Sequence, residues 1–275
     1  MTVLRVMARR VVLYALSAVV GAAFALPLLW AVLAPWSPRV SFGIQPPTHL
    51  SLANFQQVFA NHLAVRAILN SIILAGGIMV LTTLSATLGA YALARARIPH
   101  SEFLVYGIIL FSSIDSGTAA VVPIFLLAHA LHLIDTYLGV ILVSTGGAIP
   151  AAIFIMRGFV EGLPRSYEES SIVAGAGPLY TLRRVVAPLL RPGMMVIAVY
   201  TFVNAWGSFL TPFILLRNKD LIPASVAIWS FTTDQNIPLY PLIAAYSLLY
   251  AAPVVLLYLL VNWRYGFRFF GGVRG

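Results

Sequence analysis

Five stretches of this 275-residue chain carry no Asp, Glu, Lys or Arg over 21 residues or more: Val11–Trp36, Ala67–Ala94, Thr136–Met156, Pro192–Leu216 and Gln235–Trp263. A sixth, Phe103–Ile134, is interrupted only by Asp115. Crossing the hydrocarbon core of a bilayer takes about 20 predominantly apolar residues in a helix. The runs are continuously apolar and lack the alternation of barrel strands. The expected fold class is therefore an all-α polytopic membrane protein with six transmembrane helices. Composition excludes the obvious soluble alternative. The chain is 9% charged, against roughly 25% for a soluble domain. Its net charge of +9 cannot build a basic, water-facing nucleic-acid surface from so few charges, so no nucleic-acid partner is expected. With no cysteine, disulfides, thiolate metal sites and cysteine nucleophiles are excluded.

Arginine placement sets the expected orientation. With the N-terminus inside, the cytoplasmic segments hold Arg5, Arg9, Arg10, Arg95, Arg97, Arg157, Arg165, Arg183, Arg184, Arg191, Arg264, Arg268 and Arg274. The opposite side holds Arg39, Arg66, Arg217 and Lys219. Thirteen basic residues against four place both termini in the cytoplasm. The first run follows three arginines, as a signal peptide does, but its length exceeds the roughly 7–15 residues of a signal h-region, so a retained helix is expected. On the outer side, Val40–Val65 is uncharged, and Leu52, Phe55, Val58 and Phe59 recur at helical spacing. A short amphipathic helix at the interface is expected there. Asn218–Asp234 is the other sizeable outer segment. Neither is large enough for a domain, so a soluble ligand-capturing module must be another chain. No internal or inverted repeat of the secondary-transporter kind is visible.

The most informative segment is Gly162–Pro192, GLPRSYEESSIVAGAGPLYTLRRVVAPLLRP. Ser166-x-x-Glu169 reads as a capping box that opens a helix, with Glu168 and Glu169 near the positive end of its dipole. Gly175-Ala176-Gly177 stops it. Pro178 starts a second helix from its first position, expected to end before Pro188. Ser170, Ser171, Ala174, Gly175 and Ala176 are small enough for close approach to another surface. Ile172, Val173, Leu179 and Tyr180 would be exposed apolar groups, which a docking element explains better than a solvated connector.

Glu169-Ser170-Ser171, three residues, Gly175-Ala176, then Val185-Val186-Ala187-Pro188-Leu189 resembles the EAA loop of ABC importer permeases. Further pieces resemble the carbohydrate branch of that family, its six-span maltose and glycerol-phosphate type in particular. They are Asn70-Ser71, Ala90-Tyr91-Ala92-Leu93-Ala94-Arg95, Asp135-Thr136-Tyr137-Leu138-Gly139, Arg157-Gly158-Phe159, Phe202-Val203-Asn204-Ala205-Trp206 with Phe209, and the terminal Gly271-Gly272-Val273-Arg274-Gly275. The chain departs from the family at Ser170 and Ser171, where alanines are usual, at Ala174, where Asp is usual, and at Asp115, in place of a proline.

The resemblance implies a type I ABC importer permease fold in a bacterial inner membrane. It also implies three parts: an N-terminal segment 1–66 with the first helix and outer loop, a permease core 67–263 with the loop at about 162–192, and a cytoplasmic tail 264–275. The implied partners are a second, different permease, two ATPase subunits, an extracytoplasmic substrate-binding protein and membrane lipid. ATP and Mg would sit on the ATPase partners and no cofactor on this chain, which lacks the GxxxxGK[ST] phosphate loop. The residues implied in ATPase coupling are Glu168, Glu169, Ser170, Ser171, Ala174, Gly175, Ala176 and Pro178. No catalytic residue is expected.

Candidates for the substrate path are Asp115, Asn204, Trp206, Ser208 and Thr211. An intramembrane carboxylate is costly unless it faces a partner or a wet cavity, so Asp115 reads equally as a hydroxyl-binding group or as a structural one bonded to Ser112, Ser113 or Thr118. Trp206 offers an apolar ring face and Asn204 both donor and acceptor; helix packing explains them as well. His129 and His132 lack a third ligand, so no metal site is expected. Gly76, Gly77, Gly89, Gly146 and Gly147 are expected at close helix contacts. A sugar or sugar derivative is the expected cargo. A polyamine, a phosphonate or another small polar solute is the alternative, and a secondary carrier a more distant one.

Overall fold

The computed structural model describes residues 2–37, 50–95, 103, 107, 110, 120–232 and 238–265. The described regular structure is helical: α1 Thr2–Leu33 with a 3-10 turn at Ala34–Trp36, α2 Ala53–Ala60, α3 His62–Arg95, α4 Val121–Ala130 and α5 Tyr137–Glu161. There follow α6 Ser166–Val173, α7 Pro178–Leu189, α8 Arg191–Gly207, α9 Leu210–Leu215, α10 Ala224–Ala227 and α11 Tyr240–Tyr265. Among the described residues four helices are long and apolar enough to cross a membrane, those containing Arg9–Trp36, His62–Arg95, Tyr137–Glu161 and Tyr240–Trp263, and α7 with α8 form a further pair bent by 72°. The chain is a multi-pass membrane protein. Of the interrupted third run, α4 is the described helix, and Asp115 lies outside the described residues.

The run Pro192–Leu216 is not one helix, contrary to expectation. It leaves helical geometry at Ser208 (φ −66°, ψ 126°) and resumes at Leu210. Pro212 supplies the reason, because a proline ring clashes with the carbonyl four residues earlier in an unbroken helix, and that carbonyl belongs to Ser208. Turned out of the helix, the Ser208 carbonyl accepts from Ser225 Oγ at 2.7 Å. Pro188 meets the same conflict differently. The helix runs through it instead of ending before it, because Leu182–Val186 widens into a π-turn that opens room over the Arg184 carbonyl.

The chain forms two compact units, residues 1–65 with 228–256, and residues 66–227 with 257–275. In the first, α2 appears where the apolar spacing placed it: Val58 is buried while Leu52 and Phe59 stay exposed. Buried Asn54 donates through Nδ2 to the carbonyls of Pro35 (2.8 Å) and Ser37 (3.0 Å), which satisfies the backbone beyond the 3-10 turn. Tyr246 is fully buried against Phe231, ring centroids 4.9 Å apart.

In the second unit, one core joins Ala86 and Ala90 of α3, Ala152, Met156 and Val160 of α5, Val186 and Leu190, and Ile197 of α8. The small residues on α3 and α5 permit the close approach that van der Waals packing in a bilayer requires. A Cβ on Gly77 would come within 2.6 Å of Ile141, one on Gly89 within 3.2 Å of Ile153, and one on Gly193 within 2.7 Å of Phe159. Gly76, Gly146 and Gly147 meet no such neighbour among the described residues of this chain. A second core gathers Leu74, Ala128, Val140, Leu215 and Leu216. Polar ties brace it: Asn70 Nδ2 donates to the carbonyls of Asp220 and Ile222 (2.9 Å each), Tyr137 Oη donates to Asn70 Oδ1 (2.7 Å), and the Ala224 N–H donates to Ser71 Oγ (2.8 Å).

Asp135, in the left-handed region at φ 57°, locks the turn before α5 to the end of α9. Its N–H donates to the Leu215 carbonyl at 2.9 Å, and its Oδ1 accepts from the N–H groups of Arg217 and Asn218. These N–H donors, that of Asn218 foremost, hold the carboxyl below the usual carboxylate range. The contribution is fully present above the ordinary Asp value of about 3.9 and is lost as pH falls through the depressed folded value. Hydrogen exchange of a peptide covering 216–219 should therefore stay protected at pH 4 and open only below it, while Asp135→Ala is unprotected throughout; loss of protection already at the ordinary value contradicts the account. A Cβ on Gly139 would overlap the Leu133 carbonyl oxygen, and backbone cannot give way as a side chain can. Gly139→Ala should destabilise the subunit by about 1–3 kcal/mol, read as an earlier thermal transition in detergent.

Candidate functional site

The loop between α5 and α8 is built from short-range chemistry. No capping box forms at α6. Arg165 is already helical (φ −61°, ψ −23°) and no side chain caps the helix, so Ser166 sits one position too late. The N–H groups of Glu168 and Glu169 instead donate to the Arg165 carbonyl at 3.0 Å each. The helix stops as expected. Gly175 takes φ +85°, which a Cβ would penalise. The Ala176 N–H closes a six-to-one bond to the Ser171 carbonyl at 3.1 Å, the pattern of a Schellman ending. Pro178 opens α7, and the hydroxyls of Ser171 and Thr181 meet at 2.9 Å.

The residues expected in coupling divide between two faces. Glu168 turns inward: Arg95 Nε donates to its Oε1 at 2.7 Å and Tyr91 Oη to its Oε2 at 3.1 Å. Arg95 Nη2 also donates to the carbonyls of Val160 (3.2 Å) and Leu163 (2.8 Å) at the end of α5. Carbonyls there have no partner inside the helix, and a cation suits the negative end of its dipole. The ion pair is largely enclosed, its side chains 13% and 15% exposed. Glu169, Ser170, Ala174, Gly175 and Pro178 face outward, Ser171 and Ala176 are half-buried, and Tyr167, Ile172, Val173, Leu179 and Tyr180 are exposed apolar groups beside them. Sequence reasoning did not single out Tyr91 and Arg95 as site residues. The available signal was a hydroxyl and a cation four residues apart at the end of an apolar run, hence on one helix face.

A cavity of 310 Å³ opens in the same unit, between α3, α4, α5, α8 and α9. Ile78, Val121, Ile124, Val143, Ile214 and their neighbours make it mostly apolar, and Ser144, Thr201, Asn204, Ser208 and Thr211 supply its polar groups. None of the described lining side chains is charged. Asn204 spends one N–H on the Tyr200 carbonyl at 2.8 Å. Thr201 is 1% exposed, and its Oγ1 has no hydrogen-bond partner among the described residues, a costly state for a buried hydroxyl. The expected Asn204, Ser208 and Thr211 are thus brought together. Trp206 is buried and stacked on Phe202, centroids 5.5 Å apart, outside the lining. Thr201, Asn204 and Ser208 stand at i, i+3 and i+7, one helix face, and that period would have added Thr201; Ser144 lies alone on α5 and carries no such signal.

Residues 101–267 match the family model for the binding-protein-dependent transport system inner membrane component. The chain is 32% identical over 253 residues to the trehalose transport system permease protein SugB of Mycobacterium tuberculosis, covering 90% of each. It is 28% identical over 242 residues to the sulfoquinovosyl glycerol transport system permease protein SmoH of Agrobacterium fabrum, covering 86% of this chain and 84% of that one. Its fold matches a chain of a bacterial ABC transporter involved in import of the acidic polysaccharide alginate, with a TM-score of 0.81 over 94% of this chain and 97% of the other at 20% identity. The chain belongs to the binding-protein-dependent transport system inner membrane component family and is a permease subunit of an ABC importer.

Proposed function

We propose that this subunit forms half of the translocation path for a sugar or sugar derivative, paired with a second permease in a six-span arrangement with both termini in the cytoplasm. The core is residues 67–263, flanked by the N-terminal segment 1–66 and the tail 264–275. The described lining of the cavity, which holds no charged side chain, carries the cargo assignment. Five hydroxyl or amide side chains on apolar walls suit a neutral polyhydroxylated solute, whereas a polyamine or phosphonate calls for opposing charge. Relatives named for trehalose, diacetylchitobiose and maltodextrin support the same class. Asn204, Ser208 and Thr211 offer their polar groups to sugar hydroxyls, and the Thr201 hydroxyl, enclosed in the wall behind them, joins them where the cavity opens further. Trp206 would act on the path only from outside this cavity lining, and a part for Asp115 rests on the sequence alone.

The apolar face of α6 and α7 docks an ATPase subunit, which supplies ATP and Mg; a substrate-binding protein delivers the sugar from the opposite side. Glu169, Ser170, Ala174, Gly175 and Pro178 lie on the docking face, with Ser171 and Ala176 behind it. The isolated importer should consist of this chain, a sister permease and two ATPases, and its hydrolysis should rise with sugar-loaded binding protein.

Two outcomes test the reading. Removing a hydrogen bond to a neutral ligand costs about 0.5–1.5 kcal/mol, so Thr201→Val and Asn204→Ala should each raise the transport KM about two- to tenfold. Wild-type transport in a Thr201→Val protein of raised thermal stability would make that hydroxyl structural. Because a Cβ on Gly175 meets nothing within 4 Å, its constraint is the positive φ alone. Gly175→Val should then abolish transport and ATPase co-purification while membrane insertion persists, and Gly175→Asn should retain both in part, since Asn visits the left-handed region; equal loss in the two variants points to steric exclusion instead.

A further inference from the structure

Helix α6 buries none of its residues. An eight-residue helix does not hold its shape alone in water, and here it is flanked by Gly162 on one side and by Gly175 and Gly177 on the other. Besides packing against Pro178–Thr181 and Leu182–Val186 of α7, it makes two side-chain ties among the described residues: the Ser171–Thr181 hydroxyl pair within the loop itself, and Glu168, held by Arg95 and Tyr91. Only the second reaches the spanning helices. Arg95 binds three places at once, Glu168 on α6, the Val160 carbonyl on α5, and the Leu163 carbonyl just beyond it.

The helices it joins are those that wall the cavity. From Arg95 back to Ile78, on the cavity wall, α3 runs 17 residues, about 26 Å of rigid rod. From Val160 back to Ser144, also on the cavity wall, α5 runs 16 residues with Pro150 inside it. The segment between them is packed as one core, so a displacement at Arg95 is carried to the cavity without loss in soft contacts.

Resting on the permease reading above, we infer that Arg95 is a positioning residue for energy coupling: its guanidinium, with the Tyr91 hydroxyl, latches Glu168 so that a push on the exposed face of α6 moves α3 and α5 instead of swinging α6 on its glycines. Glu168 then serves the inside of the subunit, and the docking partner meets Glu169 and the apolar face.

The test uses the complete importer in proteoliposomes, reading ATP hydrolysed per sugar imported. Arg95→Ala and Glu168→Ala should each raise that ratio at least tenfold while all subunits still co-purify, and Arg95→Lys, which keeps the charge and loses the fork, should fall between. An unchanged ratio in Glu168→Ala, which leaves Arg95 on the α5 carbonyls and the fold intact, overturns the latch. So does a parallel fall of transport and hydrolysis at constant ratio, the mark of a merely structural role. A second measurement stands apart from the ATPase: hydrogen exchange across α6 in the subunit alone should quicken at least tenfold in Arg95→Ala. Unchanged exchange overturns the latch. Quickened exchange supports it even if the wild-type subunit binds no ATPase, a result that would count against the proposed function alone.

Discussion

One guanidinium holds together the part of this permease that has least else to hold it. Arg95 stands where an apolar helix emerges, and its neighbours are groups at the end of other elements: the Val160 carbonyl in the last turn of α5, the Leu163 carbonyl just beyond it, and a carboxylate on a helix with no buried side chain. Enclosing a charge is expensive unless its donors are all used. Here three donor positions are placed on oxygen by two different elements, and the carboxylate receives a phenol as well. Removing one partner leaves the other enclosed and unpaired, which is why such a pair fixes geometry even where its net contribution to stability is small.

Two prolines show how the same steric conflict gives two architectures. Pro212 breaks its helix at Ser208, and the released carbonyl takes the Ser225 hydroxyl, so irregular backbone is tolerated because protein groups satisfy it. That break also sets Ser208 and Thr211 on the cavity wall beside Asn204. Pro188 is absorbed by a π-turn, and the helix continues. One proline shapes a cavity; the other keeps an arm stiff.

Much of this was legible from residue order because it follows from local rules. Uninterrupted apolar runs gave α1, α3, α5 and α11, period gave α2, and Gly175 and Pro178 gave the joint between α6 and α7. What escaped was decided by contacts distant in sequence or by competition between neighbours. Ser166 has the composition of a cap, but Arg165 was already helical. The Pro192–Leu216 run has the hydropathy of one span, and hydropathy is blind to a proline's clash four residues back. Glu168 and Glu169 are adjacent and alike, and only the proximity of Arg95, 73 residues away, tells them apart. For Trp206, residue type fits a sugar platform and helix packing alike, and only the fold shows it buried and stacked on Phe202.

The π-turn at Leu182–Val186 has a consequence for how this arm can be inherited. Such a turn holds one residue more than regular α geometry needs, and each residue advances a helix by about 100°. Deleting one residue there would restore regular winding with little rotation of the flanking turns, because the wide turn already takes up the surplus residue, but it would return the Pro188 ring to its clash with the carbonyl four residues back. The surplus residue and Pro188 are therefore tolerated only together: a one-residue gap in this stretch should kink the arm unless the proline is replaced as well.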